Sequence, residues 1–237
     1  MDIIMIPGLW LDGSSWSAVT PPLEQAGHRV RALTLPGKES KDADRTGITL
    51  RDHVDFVVAA IDEAEEPVVL VGHSGGGAIA QLAGDARPEK VARVVYVDAA
   101  PMPDGAVIND DLPIVGEEIP LPEWSFFEDE DLVDLDDALR DEFRARSIPE
   151  PKAIPFDRIA LTTERRRDVP TTIICCEFPS KMILEWIDQG APFVREIAAM
   201  KHVEYVDLPT GHWPQFTKPT ELGQAILNAV SRTPAAR

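Results

Sequence analysis

Residues 67–77 read PVVLVGHSGGG, from Pro67 to Gly77. Val68 to Val71 form an aliphatic run of strand length. It passes without a spacer into Gly72-His73-Ser74-Gly75-Gly76, and the small residues that follow, Gly77 to Ala83, suit a helix. A strand, a sharp turn and a helix with serine at the apex make a G-x-S-x-G elbow. The glycines let the backbone turn where side chains would collide, and they leave the Ser74 hydroxyl exposed at the end of a sheet. The helix start places the Gly75 N–H where negative charge develops. A phosphate-binding loop is the alternative for a Gly-rich turn, but the Lys-Ser/Thr pair and the G-x-G-x-x-G spacing are both missing.

The rest of the chain extends this pattern in both directions. Strands are expected at Ile3–Ile6, Arg29–Leu35, Val91–Val97, Thr171–Cys176 and Val203–Val206. Helices are expected from Ser14 or Ser15 to about Gln25, from Leu50 to about Ala64 behind a Thr49 cap, and over Lys181–Trp186, Pro192–Met200 and Pro219–Ser231. Alternating strands and helices predict an α/β class chain with a mostly parallel central sheet flanked by helices. The alternation breaks at Pro101. Residues from there to about 167 are rich in proline and acid, with helical patches between Asp129 and Arg146, and are expected to fold over the carboxyl edge of the sheet as a cap. The whole of 1–237 is then one domain carrying one insertion.

Composition narrows the function classes. The net charge is -18 at pH 7, and residues 104–142 hold fifteen Asp and Glu against the single Arg140. A surface of that sign repels nucleic acid. The two cysteines, Cys175 and Cys176, are adjacent in a strand and so point to opposite faces. They read as buried small hydrophobes in a reducing compartment rather than as a disulfide. With no basic-then-apolar leader and no apolar run of membrane length, a cytoplasmic protein is expected. No cluster has metal-ligand spacing and no dinucleotide fingerprint occurs, so neither a metal nor a cofactor is expected.

Serine needs a base to become a nucleophile. Of the five histidines, His212 stands apart: it sits in a Gly-His-Trp-Pro loop after the last strand, at the sheet edge where ligand sites of parallel sheets gather. His73 points away from the apex and reads as structural or pocket-lining, while His28, His53 and His202 read as solvated surface residues. Trp10 and Trp124 are candidates for lining a substrate pocket, with a core role as the alternative for each.

The chain order Ser74, acid, His212 resembles that of the α/β-hydrolase fold. Pro7-Gly8-Leu9-Trp10 through Trp16 is similar to the oxyanion segment of small serine esterases related to plant salicylate-ester hydrolases and hydroxynitrile lyases. Val71 to Gly76 resembles their elbow, and Pro209 to Pro214 their histidine loop. The resemblance implies oxyanion donors at the N–H groups of Leu9 and Gly75, or Trp10 if the loop is set one residue further on. It also implies hydrolysis of a carboxylic ester through an acyl-enzyme, and a pocket beneath the cap leads to the expectation of a small, neutral or apolar one. Pro7 replaces the histidine usual before the glycine. The acid departs from the family pattern: no carboxylate stands at its usual place near Pro179. Asp98, at the end of Val91–Val97, is the favoured alternative and Glu177 the second; Asp207 reads as a surface turn residue. Carbon–carbon hydrolysis, amide hydrolysis and cyanohydrin cleavage use the same triad and stay open, as does a catalytically silent ligand-binding role. The absence of a basic residue in the cap before Arg140 counts against the lyase.

Overall fold

The computed structural model describes residues 1–232. Six strands form one parallel sheet: β1 (Asp2–Ile6), β2 (Arg29–Ala32), β3 (Val68–His73), β4 (Val91–Val97) and, after the inserted region, β7 (Thr171–Cys175) and β8 (Val203–Asp207). Their spatial order is β2-β1-β3-β4-β7-β8. β3 and β4 lie at the centre, and both are mainly apolar, Arg93 and His73 excepted, because the sheet is buried on two sides. One apolar cluster forms on each face. Cys175 belongs to one and Cys176 to the other, as the strand period of two requires.

The principal helices are α1 (Pro21–Gln25), α2 (Leu50–Asp62) and α3 (Gly75–Ala86) in the first half. α5 (Ser180–Asp188), α6 (Arg195–Ala199), α7 (Pro214–Thr217) and α8 (Pro219–Ser231) follow in the second. Thr49 and Asp52 form a reciprocal capping box at the start of α2. The single helix expected up to Gln25 is instead two pieces. A 3-10 turn over Gly13–Trp16, capped by Asp12 rather than by a serine, is separated from α1. Pro21 and Pro22 cannot donate into a preceding turn, so the helix must start afresh there. The expected Pro192–Met200 helix likewise divides into a 3-10 turn, Pro192–Val194, and α6.

Between β4 and β7 the chain leaves the sheet. It forms a two-residue antiparallel ribbon, β5 (Glu118–Ile119) with β6 (Glu150–Pro151), and one amphipathic helix, α4 (Asp137–Arg146). Of the patches expected between Asp129 and Arg146, only α4 is helical. Aromatic rings join this region to the histidine loop: Trp124, Phe127 and Phe143 each pack on Trp213 with centroids 5.2–6.0 Å apart. Among the described residues no helix is long and apolar enough to cross a membrane.

Candidate active site

Ser74 occupies the turn between β3 and α3 with φ 50° and ψ −126°, a conformation that non-glycine residues seldom adopt. The turn holds because its surroundings leave no slack. The Ser74 N–H donates to the Val97 carbonyl at 3.1 Å. A Cβ on Gly76 would lie 2.4 Å from the Pro7 carbonyl oxygen, and one on Gly72 would lie 2.5 Å from that of Gly76. Only glycine fits at either place.

Asp98 is the first residue beyond β4, next to Ser74 across the sheet, and it too has a positive φ, 42°. Its Oδ1 accepts from the backbone N–H groups of Cys176 and Glu177 at 3.1 and 3.0 Å, and its Oδ2 lies 2.7 Å from His212 Nδ1. His212 Nε2 lies 2.8 Å from Ser74 Oγ. A carboxylate only accepts, so Nδ1 carries the ring proton and Nε2 is free to accept from the serine hydroxyl. Burial pulls the His212 pKa down. The hydrogen bond and charge of Asp98, followed by the charges of Glu177 and Asp131, more than offset this and raise it above the ordinary histidine value.

Glu177 is the nearer miss: its Oε2 is 3.7 Å from His212 Nδ1, beyond a hydrogen bond. Burial, then the neighbouring charges of Asp131 and Asp98, push its carboxyl up to about 8. Asp207 is exposed and accepts from Ser180, far in role from the histidine. His73 is fully buried. Its Nε2–H donates to the His212 carbonyl at 2.7 Å, and its Nδ1 accepts from the Gln215 amide at 2.9 Å. Burial, then the neighbouring His212, lowers its pKa to about 3, so the ring is a neutral strut under the histidine loop. His53, expected at the surface, is instead fully buried beneath α2, where Nε2–H donates to the Pro36 carbonyl at 2.8 Å. It lies on the apolar face of α2 beside Val54, Val57 and Ile61, which its polar sequence neighbours concealed.

The segment expected to supply the oxyanion donors follows β1. Leu9 and Trp10 are buried, and the Leu9 side chain packs where a Cβ on Gly75 would point, 3.1 Å away. The Trp10 N–H is already engaged with Glu150 Oε1 at 2.6 Å. It is therefore not a free donor, and the one-residue-further setting of the loop is excluded.

A cavity of about 560 Å³ opens at Ser74 and His212. It runs under Ala99–Pro103 and past Ile173 toward Ile183, Trp186 and Phe193. Its walls are mainly aliphatic and aromatic; Asp98 and Glu177 are its carboxylates, and neither Lys nor Arg lines it. The expectation that Trp10 and Trp124 line the pocket is not met. Trp10 Nε1–H donates to the Ile119 carbonyl at 3.2 Å and its ring packs edge-on to Phe127. Trp124 lies among Phe127, Phe143 and Trp213, with the Arg144 guanidinium 5.2 Å above it. Both hold the inserted region together, and aromatics of that region reach the histidine loop rather than the cavity. Asp98, Glu177 and His212 are close enough to share a metal ion, but the proton on Nδ1 is committed to Asp98 and Nε2 faces the serine.

The fold and this arrangement define a parallel-sheet protein with a serine elbow and a late histidine. The chain belongs to the α/β hydrolase family, whose model matches residues 3–225. Among curated relatives, it is 37% identical over 99 residues to a pyrethroid hydrolase of Sphingobium wenxiniae, covering 41% of this chain and 35% of that protein. It is 35% identical over 108 residues to salicylic acid-binding protein 2 of Nicotiana tabacum, covering 43% and 40%. The chain thus spans less than half the length of the curated relatives it matches. A solved extracellular α/β-hydrolase from a Paenibacillus species, described as sharing homology with the tobacco protein, superposes with a TM-score of 0.76. The overlap covers 97% of this chain and 98% of that one at 20% identity, a likeness of fold.

Proposed function

We propose that this protein hydrolyses small, uncharged carboxylic esters with an apolar acyl or alcohol group, by way of an acyl-enzyme. Ser74 attacks the ester carbonyl while His212 Nε2 takes its proton, and Asp98 holds the ring and balances the imidazolium. The N–H groups of Leu9 and Gly75 receive the oxyanion; losing one such donor costs about 10²–10³ in kcat. His212 then returns the proton to the leaving alcohol and activates water for deacylation. The observation that carries this reading is the unbroken hydrogen-bond chain Ser74–His212–Asp98 at the mouth of an apolar cavity. The names of the relatives, a pyrethroid hydrolase and a methylesterase of Arabidopsis thaliana among them, agree with ester chemistry. The Asp98 carboxylate at the mouth and the absence of Lys and Arg from the lining favour uncharged substrates over carboxylate-bearing ones.

The test is turnover of a p-nitrophenyl ester series, acetate to octanoate, by wild type, Ser74→Ala and His212→Ala. Activity that rises with chain length until the cavity is full, and falls by about 10⁴-fold or more in either variant, is expected. A folded wild type that turns over none of the series overturns the ester reading.

A further inference from the structure

A buried charge pair lies behind the oxyanion segment, and the mechanism above does not use it. Lys38 is 1% exposed and Glu150 2% exposed. Lys38 Nζ donates to Glu150 Oε1 and, at 2.9 Å, to the Ile148 carbonyl. Glu150 Oε1 also accepts from the Trp10 N–H at 2.6 Å, and the Ile148 N–H donates to the Trp10 carbonyl at 2.9 Å. Both backbone polar groups of Trp10 are therefore held by one short segment of the inserted region, 140 residues away in sequence for the Glu150 contact. Trp10 needs holding: its φ is 63°, the left-handed region that a bulky aromatic residue disfavours. The residue immediately before it is Leu9, whose N–H, one peptide unit earlier, is the proposed oxyanion donor.

We propose that Glu150 is a positioning residue for the oxyanion hole. Its carboxylate fixes Trp10 in the left-handed conformation and thereby aims the Leu9 N–H at the reacting carbonyl, with Lys38 neutralising the carboxylate so that it can be buried. This rests on the ester-hydrolase reading. A lone acceptor would suffice for the hydrogen bond, but a charged one binds an N–H roughly twice as strongly, and a buried carboxylate requires a partner cation. The alternative is a pair that only glues the inserted region to the sheet. A pair of that kind would stabilise the chain without acting on the transition state selectively.

The experiment separates the acceptor from the charge. A buried ion pair can be exchanged for neutral residues without loss of fold, whereas removing one partner strands the other. Lys38→Met is therefore combined with Glu150→Gln, which keeps an acceptor oxygen, and separately with Glu150→Leu, which does not. The Gln double variant is expected to keep kcat within about fivefold of wild type. The Leu double variant is expected to lose about 10- to 100-fold in kcat, with KM within about twofold. Its affinity for a trifluoromethyl ketone should fall by the same factor as kcat, because that inhibitor forms an oxyanion. Equal kcat in the two double variants, or a loss confined to KM or to thermal stability, overturns the proposal. Amide hydrogen exchange over residues 8–11 reads the latch without catalysis. Faster exchange in the Leu than in the Gln variant supports it even if wild type cleaves no ester, and equal exchange overturns it.

Discussion

Two halves of the site are built by different means. Ser74 and Asp98 stand at the ends of the two central strands, and their geometry follows from the sheet: adjacent strands, a glycine-lined turn and backbone bonds such as Ser74 N–H to Val97 O. The proposed oxyanion segment and the histidine loop are held from outside the sheet. Ile148 and Glu150 grip Trp10. On the other side the Asp131 carbonyl accepts from the His212 N–H at 2.8 Å and the Val133 carbonyl from the Gly211 N–H at 3.1 Å. One inserted region, between β4 and β7, thus clamps two loops that lie far apart in sequence. The half carried by the sheet inherits the rigidity of a buried core. The clamped half is only as well placed as the contacts across the insertion, and substitutions there can alter activity while leaving the sheet intact.

The sharpest break on the sheet side is Asp98→Asn. It preserves shape but removes the charge that holds the ring proton on Nδ1, and kcat should fall by about 10³–10⁴-fold. The pH profile gives an independent reading. The proposed mechanism needs neutral His212, whose pKa is raised above 6.5, so the acid limb of kcat/KM in wild type should have its midpoint above that value. In Asp98→Asn the midpoint should move down, since the largest upward influences are gone. An unmoved midpoint would assign the limb to another group.

On the clamped side, Gly211→Ala puts a Cβ 2.2 Å from the Asp131 carbonyl oxygen and 2.7 Å from that of Val133, both backbone atoms. The inserted region must move away from the histidine loop. The expected result is a kcat lower by about 10- to 100-fold with a loss of about 1–3 kcal/mol in stability, measured by steady-state kinetics and denaturant unfolding. If the activity loss merely tracks the unfolded fraction, the two-part picture is wrong.

The smallest effect concerns Glu177, which touches both halves. Its folded pKa is raised to about 8 from an ordinary 4.5. Between those values the folded chain holds a proton that the unfolded chain has released, so this group makes stability fall as pH rises through the window. Glu177→Gln should flatten that dependence and raise Tm at pH 9 by about 2–4 °C, with kcat at pH 7 within about threefold of wild type. A steeper fall of Tm with pH in the variant would contradict the assignment of the proton to Glu177.

Much of this was legible in the chain itself. The run from Val68 to Gly77 contains its own turn chemistry, because glycine alone relieves the collision of residue 72 with the Gly76 carbonyl; the collision at residue 76 is with Pro7, far away in sequence. Alternating aliphatic strands and amphipathic helices specify a parallel sheet through local periodicity. Ser74 and His212 stand out for the same reason: each sits in a short motif whose neighbours explain it. Other features depended on contacts distant in sequence. Which carboxylate faces His212 is a choice between Asp98, on a neighbouring strand, and Glu177, two residues past β7, and a difference of 1 Å separates them. The strut formed by His73 and Gln215 and the packing of Trp10 and Trp124 away from the cavity have no local signature; the burial of His53 had one, its helical spacing with Val57 and Ile61, masked by polar neighbours. Glu150 lies between prolines in a strand of only two residues, and nothing near it hints at a bond to Trp10. Sequence determines an element when its stability comes from neighbours along the chain. It leaves open the partners of a side chain whose environment is assembled by folding, and in this protein those partners hold the histidine and the proposed oxyanion segment.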